Sequence, residues 1–432
     1  MMQSFRRKCI FACSCFLTGR KAVLKNTFST TNKSGSELAR FLHSKIKLSG
    51  PISIAQYMKE CLTNPRYGYY MHRDVFGRDG DFITSPEISQ MFGELIGIWI
   101  LNEWMQAGSP PRLHIVELGP GRGTLAEDVL RVFSKFNHLV KDVSLHLVEV
   151  SPKMRELQKA KLSGAGKEEH RGNMGAGKGE HKILESPSEE IVSRFGIPVT
   201  WHYNLNDVPR GFSCFIAHEF FDALPVHIFQ RSERGWREIL VDIDEDGGPH
   251  GLRFVLAHAK TASSVVYINE IEKRDRVEVC PEAGVIIQNL AQRIREDGGS
   301  ALIADYGHDG DKDDTLRGFK DHKLHDVLSE PGTADLTADV DFSYLRLMSG
   351  LSVDTYGPIT QNYFLRNMGI ETRLKVLMVN ASTQQQKDLV SGFKMLTDPK
   401  EMGERFKFFA IKQCLTDKKI NGLVPAGFCS LT

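Results

Sequence analysis

The chain lacks any hydrophobic run long enough to cross a bilayer. Its most apolar stretch, around Ile96–Leu101, falls far short of the roughly 20 residues required, so a soluble protein is expected. It has no C-x-x-C pair either. Three of its eight cysteines, Cys9, Cys13 and Cys15, crowd near the start, and Cys61, Cys214, Cys280, Cys414 and Cys429 are scattered. That pattern makes neither a disulfide framework nor a zinc site, and no metal is expected. An excess of one charge is missing too: 55 Lys and Arg face 54 Asp and Glu, a balance that gives no hint of nucleic-acid binding. What remains is ordinary globular composition, 41% hydrophobic over 432 residues. Such a chain builds one large domain with insertions, or two smaller ones.

The near-zero net charge hides an asymmetry. Arg6, Arg7, Lys8, Arg20, Lys21, Lys25 and Lys33 precede the first acid, Glu37, which leaves the remainder with a formal charge of −6. Basic, Ser/Thr-rich and acid-free is the composition of a mitochondrial presequence. A secretory signal competes through the apolar Cys9–Leu17, but Arg20, Lys21 and Lys25 follow with no small-residue cleavage site. The reading adopted is a presequence over 1–36 and delivery to the mitochondrial matrix.

Downstream, Leu38, Leu42 and Ile46 are four apart and predict a helix, and Ser53–Gln56 reads as a capping box for a second one. Ser85-Pro86 predicts a third, with a serine cap and a face of Ile88, Phe92, Leu95, Ile96 and Trp99 running to Gly108. Residues 67–84 read as a loop with short strands. From Leu113 strands alternate with helices, which predicts a parallel sheet covered on both faces. Two stretches interrupt it: a glycine-rich, charged loop over 163–182, expected to be disordered, and period-2 runs over 226–283, expected to be a β-rich insertion. Arg405–Lys412 reads as a late antiparallel strand. The boundaries drawn are a helical cap over 37–112, a cofactor-binding core over 113–225, the insertion, the rest of the core with substrate-pocket elements over 284–415, and a tail over 416–432.

The sharpest local signal is Glu117-Leu118-Gly119-Pro120-Gly121-Arg122-Gly123-Thr124, a strand running into G-x-G-x-G and then a helix. Glycines permit a tight turn and close ligand approach, and the helix start offers free N–H groups. The spacing differs from the dinucleotide form G-x-G-x-x-G and matches that of S-adenosylmethionine (SAM) methyltransferases; a ligand-free turn is the alternative. Glu149, at the end of the second strand, stands where a carboxylate accepts both ribose hydroxyls. The fourth strand ends in His218-Glu219-Phe220-Phe221-Asp222. Two acids three residues apart there suit a guanidinium held by charge-assisted hydrogen bonds. Helix capping by Asp222, with Glu219 on a solvated edge, is the alternative.

The phrases Ser85–Glu94, Glu117–Leu125, Glu219–His227 and Gly332–Phe342 resemble, in order, the MidA-type mitochondrial protein arginine methyltransferase family. The resemblance runs from about Ser36 to Phe409. It implies an α/β fold, a class I SAM-dependent Rossmann-like sheet with an N-terminal helical cap and a β-rich insertion. It also implies SAM as cofactor and symmetric dimethylation of an arginine on a quinone-module core subunit of respiratory complex I, needed for its assembly. Residue by residue it carries over Gly119, Gly121, Gly123 and Glu149 as cofactor-binding, with Ser85 and Glu87 closing over the cofactor; Glu117, just before the loop, is taken as cofactor-binding too. Glu219 and Asp222 are left as the catalytic acids. Asp305, His325 and Asp335–Asp341 are candidates for the substrate pocket without individual roles. The chain departs from the family at His218, where asparagine is usual. Two further readings stay open: a non-catalytic SAM-binding assembly chaperone, and a methyltransferase of a small molecule or RNA.

Because the acid-free segment ends near Glu37, the mature protein should have lost about 30–45 residues. N-terminal sequencing of the protein from purified mitochondria checks this, and a mature form beginning at Met1 would refute it.

Overall fold

The computed structural model describes residues 37–72, 83–164, 189–246, 251–268, 272–414 and 424–429. The leader, and all but the first residues of the 163–182 loop, lie outside them. No described helix is long and apolar enough to cross a membrane.

The central sheet uses eight main strands, β1 (Arg112–Leu118), β2 (Asp142–Val148), β3 (Glu189–Val192), β4 (Pro198–His202), β5 (Ser213–His218), β6 (Gly299–His308), β7 (Val353–Thr360) and β8 (Phe406–Gln413). Their order is β7-β8-β6-β5-β1-β2-β4-β3. The five strands from β6 to β4 run parallel, while β8 enters antiparallel beside β6 and β3 closes the other edge antiparallel. The expected late antiparallel strand is therefore present, between β6 and β7 and not at an edge. Alternation along β1 shows why the sequence reads as a continuous apolar run. Leu113 and Ile115 enter one core with the helices Gln90–Gln106 and Thr124–Lys135, whereas Val116 and Leu118 enter another with Pro281–Asp297 and Phe342–Ser349. The strand order reverses beside β1, so the carboxyl ends of β1, β2 and β5 share one crevice.

Several expectations need revision. The helix expected from Ser85 is two: a single turn over Ser85–Ile88, whose N-cap is Thr84, and a long helix over Gln90–Gln106. Ser89 separates them in extended conformation, and its hydroxyl accepts from Met91 N at 3.3 Å. Serine competes well for backbone donors, which makes it a better break than an interior residue. The described parts of 67–84 contain turns and no strand. The helical cap is also not one unit. The helices Glu37–Ser49 and Ile54–Thr63 pack through Leu42, Ile46, Tyr57 and Met58 on Ile228, Ile239 and Val241 of the insertion, and strand Ile52–Ser53 joins its sheet. Gln90–Gln106 belongs to the central core instead. Part of the expected tail is packed: Phe428 stands 5.7 Å from the Phe364 ring, edge-on. Three helices between β7 and β8, Gln361–Asn367, Ile370–Val379 and Thr383–Thr397, are an element the sequence reading had not singled out.

One polar feature crosses the parallel strands. His114 Nδ1 lies 3.1 Å from His146 Nε2, whose Nδ1 lies 3.1 Å from His202 Nε2, and Ser144 Oγ contacts the first two rings. Burial lowers all three pKa values, that of His146 to about 3; Arg112 at one end and Arg155 and Arg293 at the other lower the outer two further, and Asp142 and Asp207 oppose the shift. The fold thus holds the His146 imidazole neutral, and its contribution to stability is present above pH 6.5 and lost as pH falls toward 3. At pH 5 the loss from His146 amounts to about 2 kcal/mol. His146→Gln should therefore flatten the fall in urea midpoint between pH 7.5 and pH 5; an unchanged slope would show that the row does not carry it.

Candidate active site

The cofactor loop follows β1 directly. Gly119, Gly121 and Gly123 have φ of 62°, 52° and 76°, the left-handed region that favours glycine. Crowding adds a second reason at two of them. A Cβ on Gly119 would stand 2.7 Å from Phe220 Cδ2, and one on Gly123 would stand 3.3 Å from Gln158 Cγ. Gly123 is also the N-cap of the helix Thr124–Lys135 and supplies no side-chain cap, so donors at that helix start remain for a ligand.

Two buried acids flank the loop. Burial, then Glu149, pushes Glu117 up to about 8. Glu149 is raised by burial as well, although its carboxylate is held: Oε1 accepts from Ser151 N at 2.8 Å and Oε2 from Gln158 Nε2 at 3.1 Å. Arg155 donates from Nε and Nη2 to the Glu149 carbonyl at 2.9 and 2.7 Å and lies 3.7 Å from the centre of the half-exposed Tyr203 ring. Sequence reasoning passed over Arg155, Gln158 and Tyr203. A polar residue on the helix after β2 or just past β4 was the available signal.

A strap made of the Ser85–Ile88 turn lies across this loop. Arg122 of the loop pairs with Glu87 at 3.5 Å, and Ser85 N donates to Glu219 Oε1 at 3.4 Å. The cleft between them is lined by Pro86, Glu87, Glu117, Gly119, Gly121, Arg122, His218 and Glu219.

Glu219 leaves β5 with φ of +48°, and burial followed by Asp222 pushes its pKa up to about 8. His218 Nε2 stands 3.3 Å from Glu219 Oε1 without hydrogen-bond alignment, and burial holds that ring near 3, hence neutral. Asp222 is raised to about 6 by burial, offset by the Tyr306 hydroxyl and Arg317. A turn and not a helix follows it, so Asp222 caps nothing. Asp305 answers a structural need: Oδ2 accepts from the backbone N of Phe220, Phe221 and Asp222 at 3.2, 3.0 and 3.3 Å. His325 lies in a separate three-stranded sheet, bonded to Ser329 O at 3.0 Å, and does not join the cleft. Of the following acids, Asp335 accepts from Tyr70 at 2.7 Å, Asp339 pairs with Lys312 and Arg317 at 2.5 Å each, and Asp341 caps the helix Phe342–Ser349.

The donor set fits SAM. Among the described residues, Ser85 Oγ, His218 Nε2 and Asp222 Oδ1 are buried without a hydrogen-bond partner, which marks room for polar groups of a ligand. Glu87, Glu117 and Glu219 line the cleft with Arg122, and Arg155 and Arg317 stand near Glu149 and Asp222, so acids outnumber cations around the site. That field suits a sulfonium, an ammonium and ribose hydroxyls, and repels the pyrophosphate of a dinucleotide.

Fold and site together define a class I SAM-dependent methyltransferase. A family of S-adenosyl-L-methionine-dependent methyltransferases matches residues 95–359. A bacterial protein from Burkholderia thailandensis, crystallised with S-adenosyl-homocysteine, superposes with a TM-score of 0.71 over 87% of this chain and 92% of its own, at 24% identity, a likeness of fold. The protein arginine methyltransferase NDUFAF7, mitochondrial, of Homo sapiens is 55% identical over 379 residues, covering 87% of this chain and 83% of the relative. That of Danio rerio is 53% identical over 89% of this chain and 88% of its own length, and the Drosophila melanogaster homolog 47% identical over 87% and 84%. The chain belongs to the NDUFAF7 family of mitochondrial protein arginine methyltransferases.

Gly121→Val places a branched side chain at a left-handed φ beside the cleft, so S-adenosylhomocysteine binding should fall at least tenfold while circular dichroism stays native. In the unaltered protein, burial keeps Glu117 partly protonated near neutral pH. A ligand bringing positive charge displaces that proton, so affinity should rise toward pH 8 with proton release. Calorimetry in buffers of different ionisation enthalpy reads both effects. Unchanged affinity in the variant would make the loop a mere turn.

Proposed function

We propose that this protein transfers methyl groups from SAM to an arginine of a quinone-module core subunit of respiratory complex I, in the mitochondrial matrix, and that the product is symmetric dimethylarginine. The names of the relatives support arginine as acceptor. The complex I partner and the product rest on the family resemblance, and the matrix rests on the acid-free leader. The observation that carries the reading is the pair of buried acids at the end of β5, Glu219, which lines the cleft and accepts from Ser85 N, and Asp222, whose Oδ1 has no hydrogen-bond partner among the described residues.

Bound SAM supplies an electrophilic methyl on a sulfonium. The chain must hold the acceptor nitrogen about 3–3.5 Å from that carbon and keep water out. The guanidinium is a poor nucleophile because its charge is spread over three nitrogens and its pKa exceeds about 12. Glu219, gripping two nitrogens, concentrates charge on them and leaves the third to attack. The proton released when the new N–C bond forms passes to the Glu219 carboxylate, whose buried setting favours the protonated form. Ser85 N, donating to Glu219 Oε1, keeps the carboxyl turned into the cleft.

Glu219→Gln preserves size and removes the charge. It should leave S-adenosylhomocysteine affinity near normal and lower arginine methylation about 10²–10³-fold, read by mass spectrometry of dimethylarginine in mitochondria where the variant replaces the protein. Methylation at the unaltered rate would move the clamp to Asp222. Lost methylation with normal complex I would favour an assembly scaffold.

A further inference from the structure

Gln158 sits on the helix Pro152–Ser163 and is fully buried, yet its carboxamide meets three other elements. Oε1 accepts from Trp201 Nε1 of β4 at 2.8 Å. Nε2 donates to the Gly121 carbonyl at 2.7 Å and to Glu149 Oε2 at 3.1 Å. The indole N–H only donates, so it fixes which end of the amide faces β4 and turns both amide hydrogens toward the other two groups. Gly123 leaves the space this packing requires, since a Cβ there would stand 3.3 Å from Gln158 Cγ. A single side chain therefore binds the middle of the glycine loop to the carboxylate at the end of β2.

We propose that Gln158 is a positioning residue for the cofactor: it sets the spacing and orientation between the loop that takes the amino-acid end of a sulfonium nucleoside and the acid that takes its ribose. The inference rests on the SAM reading of the cleft and goes beyond it. Glu149 has one oxygen held by Ser151 N and the other by Gln158, so its carboxylate plane is fixed before any ligand arrives. The Gly121 carbonyl is tied down by the same amide, so the middle of the glycine loop is held in place as well. Binding then needs no reordering of either half, and the saving appears as affinity.

The test is titration of the full chain with S-adenosylhomocysteine at pH values from 6 to 8.5, for the unaltered protein, Gln158→Met and Gln158→Glu. Methionine keeps the length and removes all three hydrogen bonds, one of them to a carboxylate, so binding should weaken about 10- to 100-fold. Q158E keeps an acceptor for Trp201. When ionised it turns a carboxylate oxygen toward two acceptors, Gly121 O and Glu149; when protonated it returns one hydrogen. Its affinity should therefore rise as pH falls, opposite to the trend of the unaltered protein, whereas a merely structural role would leave the direction of the pH profile unchanged. Circular dichroism checks folding, and where Q158M does not fold, Q158E decides. Unaltered affinity in folded Q158M, or the unaltered pH trend in Q158E, would overturn the proposal. Failure of the unaltered chain to bind S-adenosylhomocysteine at all would overturn the cofactor assignment first, and this inference with it.

Discussion

The structure depends on burying more carboxylates at the strand ends than it has cations to pair with them. An isolated buried carboxylate is costly, and the usual remedies are hydrogen bonds, an ion pair or a proton. Each remedy is visible. Asp305 collects three backbone amides, Glu149 has Ser151 N and Gln158, and Asp339 has Lys312 and Arg317. Glu117 and Glu219 receive less, and burial raises both to about 8. Both line the cleft. The fold thus keeps acids answered by a proton where a cation can enter and displace it, and a site arranged this way favours a cationic ligand over an anionic one.

Closing the cleft falls to elements remote in sequence. The strap over Ser85–Ile88 is a single turn and cannot hold itself. It is pressed from outside by the helix Thr383–Thr397, where a Cβ on Gly392 would stand 3.1 Å from Ser89 Cβ and 3.2 Å from the Ile88 carbonyl. Arg373, on the preceding helix, anchors this pair through Glu94 at 2.7 and 2.9 Å, and Arg131 reaches the same carboxylate. Inserting three helices between β7 and β8 therefore serves the opposite end of the chain: it clamps the segment whose amide and acid face the cleft.

How far the sequence speaks follows from what is local. The glycine loop, Glu149 and the acids after β5 were legible because each is a short motif at a strand end, and the parallel sheet was legible because its strands are apolar on both faces. The break at Ser89 was hidden by a helical pattern that continues across it, since Ile88 and Phe92 are both packed in the core. The composite small domain was hidden because Ile52–Ser53 pairs with Leu240 and Val241, nearly two hundred residues away. Gln158 looked like an ordinary polar residue and Asp305 like a pocket acid without a role, the meaning of each residing in partners on other elements.

The two acids after β5 are unequal for a reason built into β6. Asp305 gathers the amides of Phe220, Phe221 and Asp222, and this forces the chain to turn immediately after β5, with Glu219 N donating back to Ala304 O at 3.0 Å. The turn costs Glu219 a left-handed backbone, of order 1–2 kcal/mol for a residue other than glycine, and in exchange aims its carboxyl at the strap. Asp222, one step deeper, already meets the Tyr306 hydroxyl and the field of Arg317. Its charge is partly spoken for by the protein's own guanidinium. Glu219 meets Ser85 N and a neutral histidine instead. Of the two, it is the acid whose burial is made good only when a positive group arrives, which is the property an arginine clamp requires.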